Sequence, residues 1–299
     1  MLTRMMTTPR FLACWLCCVL APFSIGARSE WGFDVTGGFT YDDNLSNAFE
    51  ADERKGDTAA VIDFAGGYRQ QLGTSTELGL SLLATSQSYL HYTGLTNIGL
   101  GARALLRTKF GLGAEAPWLA LAAQAVYHNY HDDNLDGWSY EAGATLGKRF
   151  GDRWTVSGSV RYDAYVANST PPVIVPGLSG SPYDVYGWNL GVQARFLATD
   201  SDLVSLSFNW RTGTVTSVTA PDEEVLEYSD RVAATTIFGS PEIAYRINAN
   251  TQTIGLAWNH TLGRNTAFNV AYAYRRSQAD SELGAYYANV ISVTLSYSY

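Results

Sequence analysis

From Trp31 to Tyr299 the chain alternates apolar and polar residues in short runs of period two, the spacing of a strand with one greasy face and one wet face. The last eleven residues show this most cleanly. Ile291, Val293, Leu295, Tyr297 and Tyr299 take every second position, and Val290, Ser292, Thr294, Ser296 and Ser298 fill the gaps. Eleven earlier segments repeat the alternation. Their apolar faces begin with Trp31, Phe33, Val35, Phe39 and Tyr41, then Ala60, Ile62, Phe64, Tyr68 and Leu72, then Leu78, Leu80, Leu82 and Ala84, then Ile98, Leu100, Ala102, Ala104 and Leu106. A fifth run, Trp118 to Tyr130, carries alanines on both faces, so a helix stays open there beside a strand with Leu119, Leu121, Ala123, Ala125 and Tyr127 outward. Later runs centre on Tyr140, Val160, Leu190, Phe208, Leu256 and Tyr272.

The connections alternate in length. Short, turn-forming links at 73–75, 111–117, 151–153, 198–202 and 263–265 interleave with longer ones near 42–57, 88–96, 131–137, 167–184, 213–251 and 276–285. Aromatic residues gather at both ends of the apolar faces. Phe33, Tyr68, Phe110, Trp118, Phe150, Trp154, Phe196, Phe268 and Tyr297 lie toward the short links; Tyr41, Tyr127, Trp138, Tyr140, Tyr162, Tyr186, Trp188, Trp210 and Tyr274 lie toward the long ones. An even number of strands, short turns on one side, long loops on the other and two aromatic girdles describe a transmembrane antiparallel up-and-down β-barrel of 12 strands. A soluble β-sandwich also alternates, but it does not need Tyr and Trp bands at both ends of its apolar face.

Composition sharpens this. Only 16% of residues are charged while 46% are hydrophobic, against about 25% charged in an ordinary soluble domain. Strands that face lipid account for the shortfall. Residues 1–27 read as a cleaved signal peptide, with Arg4 and Arg10 ahead of a mostly apolar Phe11–Ile25 stretch and small residues at the cut, which leaves 28–299 as a single barrel domain. Cys14, Cys17 and Cys18 all fall in that leader; Phe11-Leu-Ala-Cys14 matches a lipobox only loosely. The mature chain therefore has no disulfide or thiol metal site, and no cofactor or metal is expected. The net charge of −8 falls to near −10 without Arg4 and Arg10, which argues against nucleic acid as a partner. The expected location is the outer membrane, among lipid and lipopolysaccharide.

The inward positions carry the candidate chemistry. Arg69, Arg103, Arg107, Arg149, Arg161, Arg195 and Arg211, with Lys109 and Arg275, outnumber the inward Asp34, Asp63, Glu77, Glu141 and Asp163. Such a lumen favours anions, because a narrow low-dielectric channel focuses the field and a guanidinium forks onto carboxylate or phosphate. The expected function is a porin-like channel for small solutes, anion-preferring through these seven arginines. The other reading is a filled barrel in which Glu141 with Arg149 and Arg161 with Asp163 form ladders. The long loops are mostly acidic, and Asp42-Asp-Asn-Leu45 repeats as Asp132-Asp-Asn-Leu135, a strand-exit pattern with too little ligand regularity for a calcium loop. The 213–251 link is long enough to fold inward or to lie over the mouth, and its Ala233–Phe238 stretch is apolar for an exposed loop. His91, His128 and His131 near the rim, with Asp132 and Asp133, leave a hydrolase as an alternative, and so does a barrel accessory to polysaccharide or secretion machinery.

The C-terminal strand resembles the closing strand of Gram-negative outer-membrane barrels, which implies that the barrel-assembly machinery reads it through Tyr299. The stretch Gly37-Gly-Phe-Thr-Tyr-Asp-Asp-Asn-Leu-Ser-Asn-Ala48 resembles the opening of uncharacterised porin-like proteobacterial barrels and of the barrel of surface lipoprotein assembly modifiers. Trp210–Ser217 and Tyr245–Ala249 resemble the same barrels. Assembly modifiers carry a helical-repeat domain before the barrel. This sequence does not, so their activity is not carried over.

Overall fold

The computed structural model describes residues 30–299 apart from 169, 173, 222, 240 and 281–283; the expected signal peptide and its cysteines lie outside the described residues. Thirteen strands form one antiparallel sheet. They are β1 (Glu30–Asp42), β2 (Asp57–Gln71), β3 (Thr76–Tyr89), β4 (Asn97–Lys109), β5 (Trp118–Tyr130), β6 (Gly137–Phe150), β7 (Trp154–Ala167), β8 (Val185–Leu197), β9 (Asp202–Thr219), β10 (Arg231–Thr235), β11 (Glu242–Thr261), β12 (Thr266–Ala279) and β13 (Ala285–Ser298). All except β10 form the barrel wall. Consecutive strands pair, β9 pairs with β11, and β13 returns to β1, so twelve strands close with no free edge. The alanine-rich fifth run is a strand, not a helix. Neighbours on both sides satisfy its backbone.

The seam between the ends of the chain is polar inside and apolar outside. Asp34, Thr36 and Thr40 face Ser298, Ser296 and Ser292 in register. Tyr299 completes the seam: its N–H donates to the Phe33 carbonyl at 2.9 Å, the Phe33 N–H donates back at 3.1 Å, and the two rings stack 5.6 Å apart.

The outer face explains why the barrel needs a bilayer. Ile62, Leu82, Leu100, Leu190, Leu206, Ile254 and Ile291 are all exposed around the wall, a continuous apolar belt far beyond what a monomer shows to water. Aromatic pairs bound the belt. Trp31–Tyr68 (5.3 Å) and Trp154–Phe196 (4.7 Å) mark the short-turn end, and Tyr127–Trp138 (5.4 Å) and Tyr162–Trp188 (5.2 Å) mark the long-loop end. Trp118 is the exception to the girdle expected from sequence. It points inward over Gly147, where an added Cβ would sit 2.3 Å from the indole. The strand parity that sends Leu119 outward sends Trp118 into the lumen.

The 213–251 link is also different from a loop. β9 continues to Thr219 and β11 begins at Glu242, so the β9–β11 ladder extends beyond Gly213, the last β9 residue paired with β8, and β10 adds a third strand to it. Thr214 to Thr219 and Ile243 to Ile247 carry branched residues suited to strands. Gly213 lets the ladder leave the wall: its φ is +153°, and a Cβ there would lie 2.2 Å from the Tyr186 carbonyl oxygen.

Candidate functional site

The extension folds into the external mouth as a lid, and both of its faces are buried. One side supplies Val218, Ala244, Ile237 and Phe238 to a cluster with the inward mouth residues Val61, Tyr89, Tyr130, Tyr165 and Val185. The other side supplies Val232, Ile243, Tyr245 and Ile247 to a second cluster with Ala279, Phe49 and Leu178. Phe238 meets Tyr92 edge-on, centroids 4.8 Å apart. Polar contacts latch the lid to its neighbours. The Val218 N–H donates to the Ser46 carbonyl at 2.8 Å, Asn47 Nδ2 donates to the Thr216 carbonyl at 2.9 Å, and Glu53 accepts from the Ala220 N–H at 3.1 Å. Arg231 pairs with Asp184, Arg246 Nη1 donates to the Asp184 carbonyl at 2.6 Å, and Lys55 lies 3.6 Å from Glu242; within the lid, Arg246 also pairs with Asp230.

Beneath the lid lies a cavity of about 270 Å³, in which hydroxyl and amide side chains of β7, β8, β9, β11, β12 and β13 alternate with apolar ones such as Val192, Leu203 and Ala271. That is just under the usual range of small-ligand pockets, about 300–1,000 Å³. Arg161, Arg195 and Arg211 reach it together with Asp63 and Asp163. The other four arginines expected in the solute path are not part of its lining. Arg69 stands opposite Glu30 in the β1–β2 register. Arg103 places Nε and Nη2 on Gln124 Oε1 at 2.9 and 2.7 Å. Arg107 lies over the Trp118 ring at 4.7 Å. Arg149 turns away from the lumen, its Nε donating to the Gly151 carbonyl of the adjacent turn at 3.1 Å.

The ion pairs differ from those expected. Arg161 lies 3.8 Å from Glu141, and Asp163 is held by Arg211. Cross-strand geometry decides this. Glu141 and Asp163 are register neighbours on β6 and β7, so each carboxylate takes its arginine from another place on the sheet. Arg211 forks onto Asp163, Nη2–Oδ2 2.7 Å and Nε–Oδ1 3.1 Å, and Asn189 from the intervening strand also donates to that carboxylate.

The rim histidines do not converge on one centre. His91 Nδ1 lies 2.8 Å from Asp57 Oδ1, and the N–H groups of His91 and Tyr92 donate to the other oxygen of that carboxylate, which ties down a tight turn. His128 Nε2 lies 2.9 Å from Ser139 Oγ inside the barrel, a contact that no sequence spacing announced. The His131 N–H closes its loop on the Thr96 carbonyl. Asp132 in the same loop has its pKa raised, chiefly by burial and further by the Asp133 charge, against two hydrogen bonds from Asn134. Among the described residues no group of three or more His, Asp or Glu is placed to hold a metal ion.

No protein-family model and no characterised protein matches the sequence. Solved structures do match the fold. An outer membrane channel of Pseudomonas putida F1 superposes with a TM-score of 0.60 at 13% identity, over 92% of this chain and 97% of that one. The NanC porin gives 0.45 at 9%, over 89% and 98%, and the channel DcaP of Acinetobacter baumannii gives 0.42 at 10%, over 94% and 100%. The closed twelve-strand wall, its apolar belt and the first of these likenesses define the class: an outer-membrane β-barrel of twelve antiparallel strands. Its place is the outer membrane of a Gram-negative cell.

Proposed function

We propose that the protein is a gated channel that passes small anionic solutes across the outer membrane. The observation that carries this reading is the arginine-bearing cavity inside a closed wall, beneath a lid built from strand extensions rather than from wall residues. A barrel that served only as a scaffold has no need of a cavity bearing three arginines. The barrel it resembles in Pseudomonas putida is an outer membrane channel, which agrees with this use of the fold. Of the arginines named from sequence, Arg161, Arg195 and Arg211 form the solute path, with Arg107 bordering it; Arg69, Arg103 and Arg149 contribute field rather than contact. The long-loop rim sits among lipopolysaccharide, and the C-terminal strand ending in Tyr299 is the segment the barrel-assembly machinery reads.

Planar-bilayer recording tests the reading. Discrete channels should appear, with a reversal potential that favours Cl⁻, and Arg161→Glu should weaken that preference. Cation preference, or silence even after the lid is loosened, would overturn it.

A further inference from the structure

Charge around the cavity balances except at one place. Arg211 is committed to Asp163 and Arg161 to Glu141. Asp63 and Glu141 both feel the charge of Arg103. Arg195 also lines the cavity, but among the described residues it has no hydrogen-bond or ion-pair partner. Arg107, on β4 across the barrel, adds a second positive charge whose field reaches Arg195. Glu77, in register beside Arg107, offsets one of the two charges.

The wall around Arg195 is made for a guest. Its register partner on β9 is Ser205, and one step up the strand Gln193 lies between Ser157 and Ser207. Gly255 and Ala257 follow on β11, opposite Ser207 and Ser205. Small side chains leave room there, and their hydroxyl and amide groups can donate or accept. A guanidinium removed from bulk water and left without an acceptor is costly, and its planar fork matches a carboxylate.

We propose that Arg195 is the anchor of a discrete binding site for a small monocarboxylate, with the charge of Arg107 across the barrel adding to the attraction. The site rests on reading the lumen as a solute path and adds the chemical class of the solute. One uncompensated charge fits a singly charged guest; a dianion such as phosphate asks for two.

Saturation-transfer NMR on the detergent-folded protein tests this, with butyrate as the probe and butyramide as its neutral counterpart. Butyrate should bind saturably and butyramide should not. Arg195→Gln should weaken butyrate at least tenfold, whereas Arg264→Gln, in the 263–265 turn, should leave it unchanged. Phe238→Ala, which loosens the lid, serves as a second background so that access cannot hide the site. Absence of saturable binding in both backgrounds, equal binding of butyramide, tighter binding of phosphate, or indifference to Arg195→Gln overturns the site. No current is needed for this measurement, so its failure is distinct from failure of the channel reading, which rests on conductance.

Discussion

Arg211 on β9 reaches past β8 to fork onto Asp163 of β7, with Nη2–Oδ2 at 2.7 Å and Nε–Oδ1 at 3.1 Å. The two side chains are only 11% and 4% exposed, so the pair braces three strands just below the lid. Removing one partner leaves a buried charge without its counterion, a loss of about 3–5 kcal/mol, whereas replacing both by apolar groups is often nearly neutral. Asp163→Asn should therefore lower the urea midpoint of the folded barrel clearly, and Asp163→Leu with Arg211→Met should recover most of it. The freed guanidinium of Arg211 should also increase the preference for Cl⁻ in Asp163→Asn. A double-mutant cycle with no coupling would remove the bracing role.

Phe238 fixes the tip of the lid. It is buried in the mouth cluster and meets the Tyr92 ring edge-on at 4.8 Å. Truncating a buried Phe to Ala removes about 3–5 kcal/mol in a packed core. This loss falls on the lid and not on the wall, because the wall hydrogen bonds do not involve residue 238. Phe238→Ala should keep the heat-modifiable gel mobility of a folded barrel, while trypsin added from outside should cut faster after Arg231 and single-channel openings should become more frequent. Wild-type cleavage and opening rates would show that the lid is held elsewhere.

The wall was legible because its constraint is severe. Each strand must show lipid one face and the lumen the other, so Ile62 against Asp63 or Val160 against Arg161 assigns a face from parity alone. Parity also places Trp118 inside, although its position beside the 111–117 link had drawn it into the girdle. The Arg211–Asp163 pair was not legible, because it joins residues two strands apart: the two are 48 positions distant in sequence, and nothing local selects Asp163 over Glu141. The lid was legible in part. Its apolar stretch and length pointed to a constriction, but the strands within it were hidden because Thr214–Thr219 and Ile243–Ile247 lie outside the repeat that the bilayer imposes. Arg195 was one of seven equivalent candidates in the sequence; only the commitments of the others set it apart.

Asp132 sits where the β5–β6 loop is pinned to the β3–β4 connection, its N–H donating to the Gly94 carbonyl at 3.2 Å and its Oδ1 accepting from the Asn134 N–H at 3.1 Å. Burial raises its pKa above the ordinary 3.8. The sign follows from linkage: the folded state binds the proton more tightly than the unfolded chain, so stability falls as pH rises from the unfolded pKa through the raised folded one. Asp132→Asn keeps an acceptor for Asn134 and cannot ionise. At pH 7 it should match or exceed the wild type in thermal stability, and its stability should vary less with pH across the carboxylate range. A variant less stable than wild type at pH 7 would mean that the ionised carboxylate is needed there.

Gly213 is the point at which β9 parts from β8 and carries the lid away from the wall. Its last partner on β8 is Gly187, and an added Cβ would meet the Tyr186 carbonyl oxygen at 2.2 Å and Gly187 Cα at 2.5 Å. These are backbone atoms of a paired strand, so no side-chain rotation relieves the contact. Forcing a methyl group into such a site typically costs about 1–3 kcal/mol, and here the strain is released most easily by moving the end of β9 outward. Gly213→Ala should therefore assemble in the membrane with normal strand content yet seat its lid poorly, giving a raised open fraction and loss of protection at Arg231. Combined with Phe238→Ala it should add little, since both changes release the same element. Full additivity of the two in opening free energy would show that the bend at Gly213 and the tip at Phe238 act on separate elements.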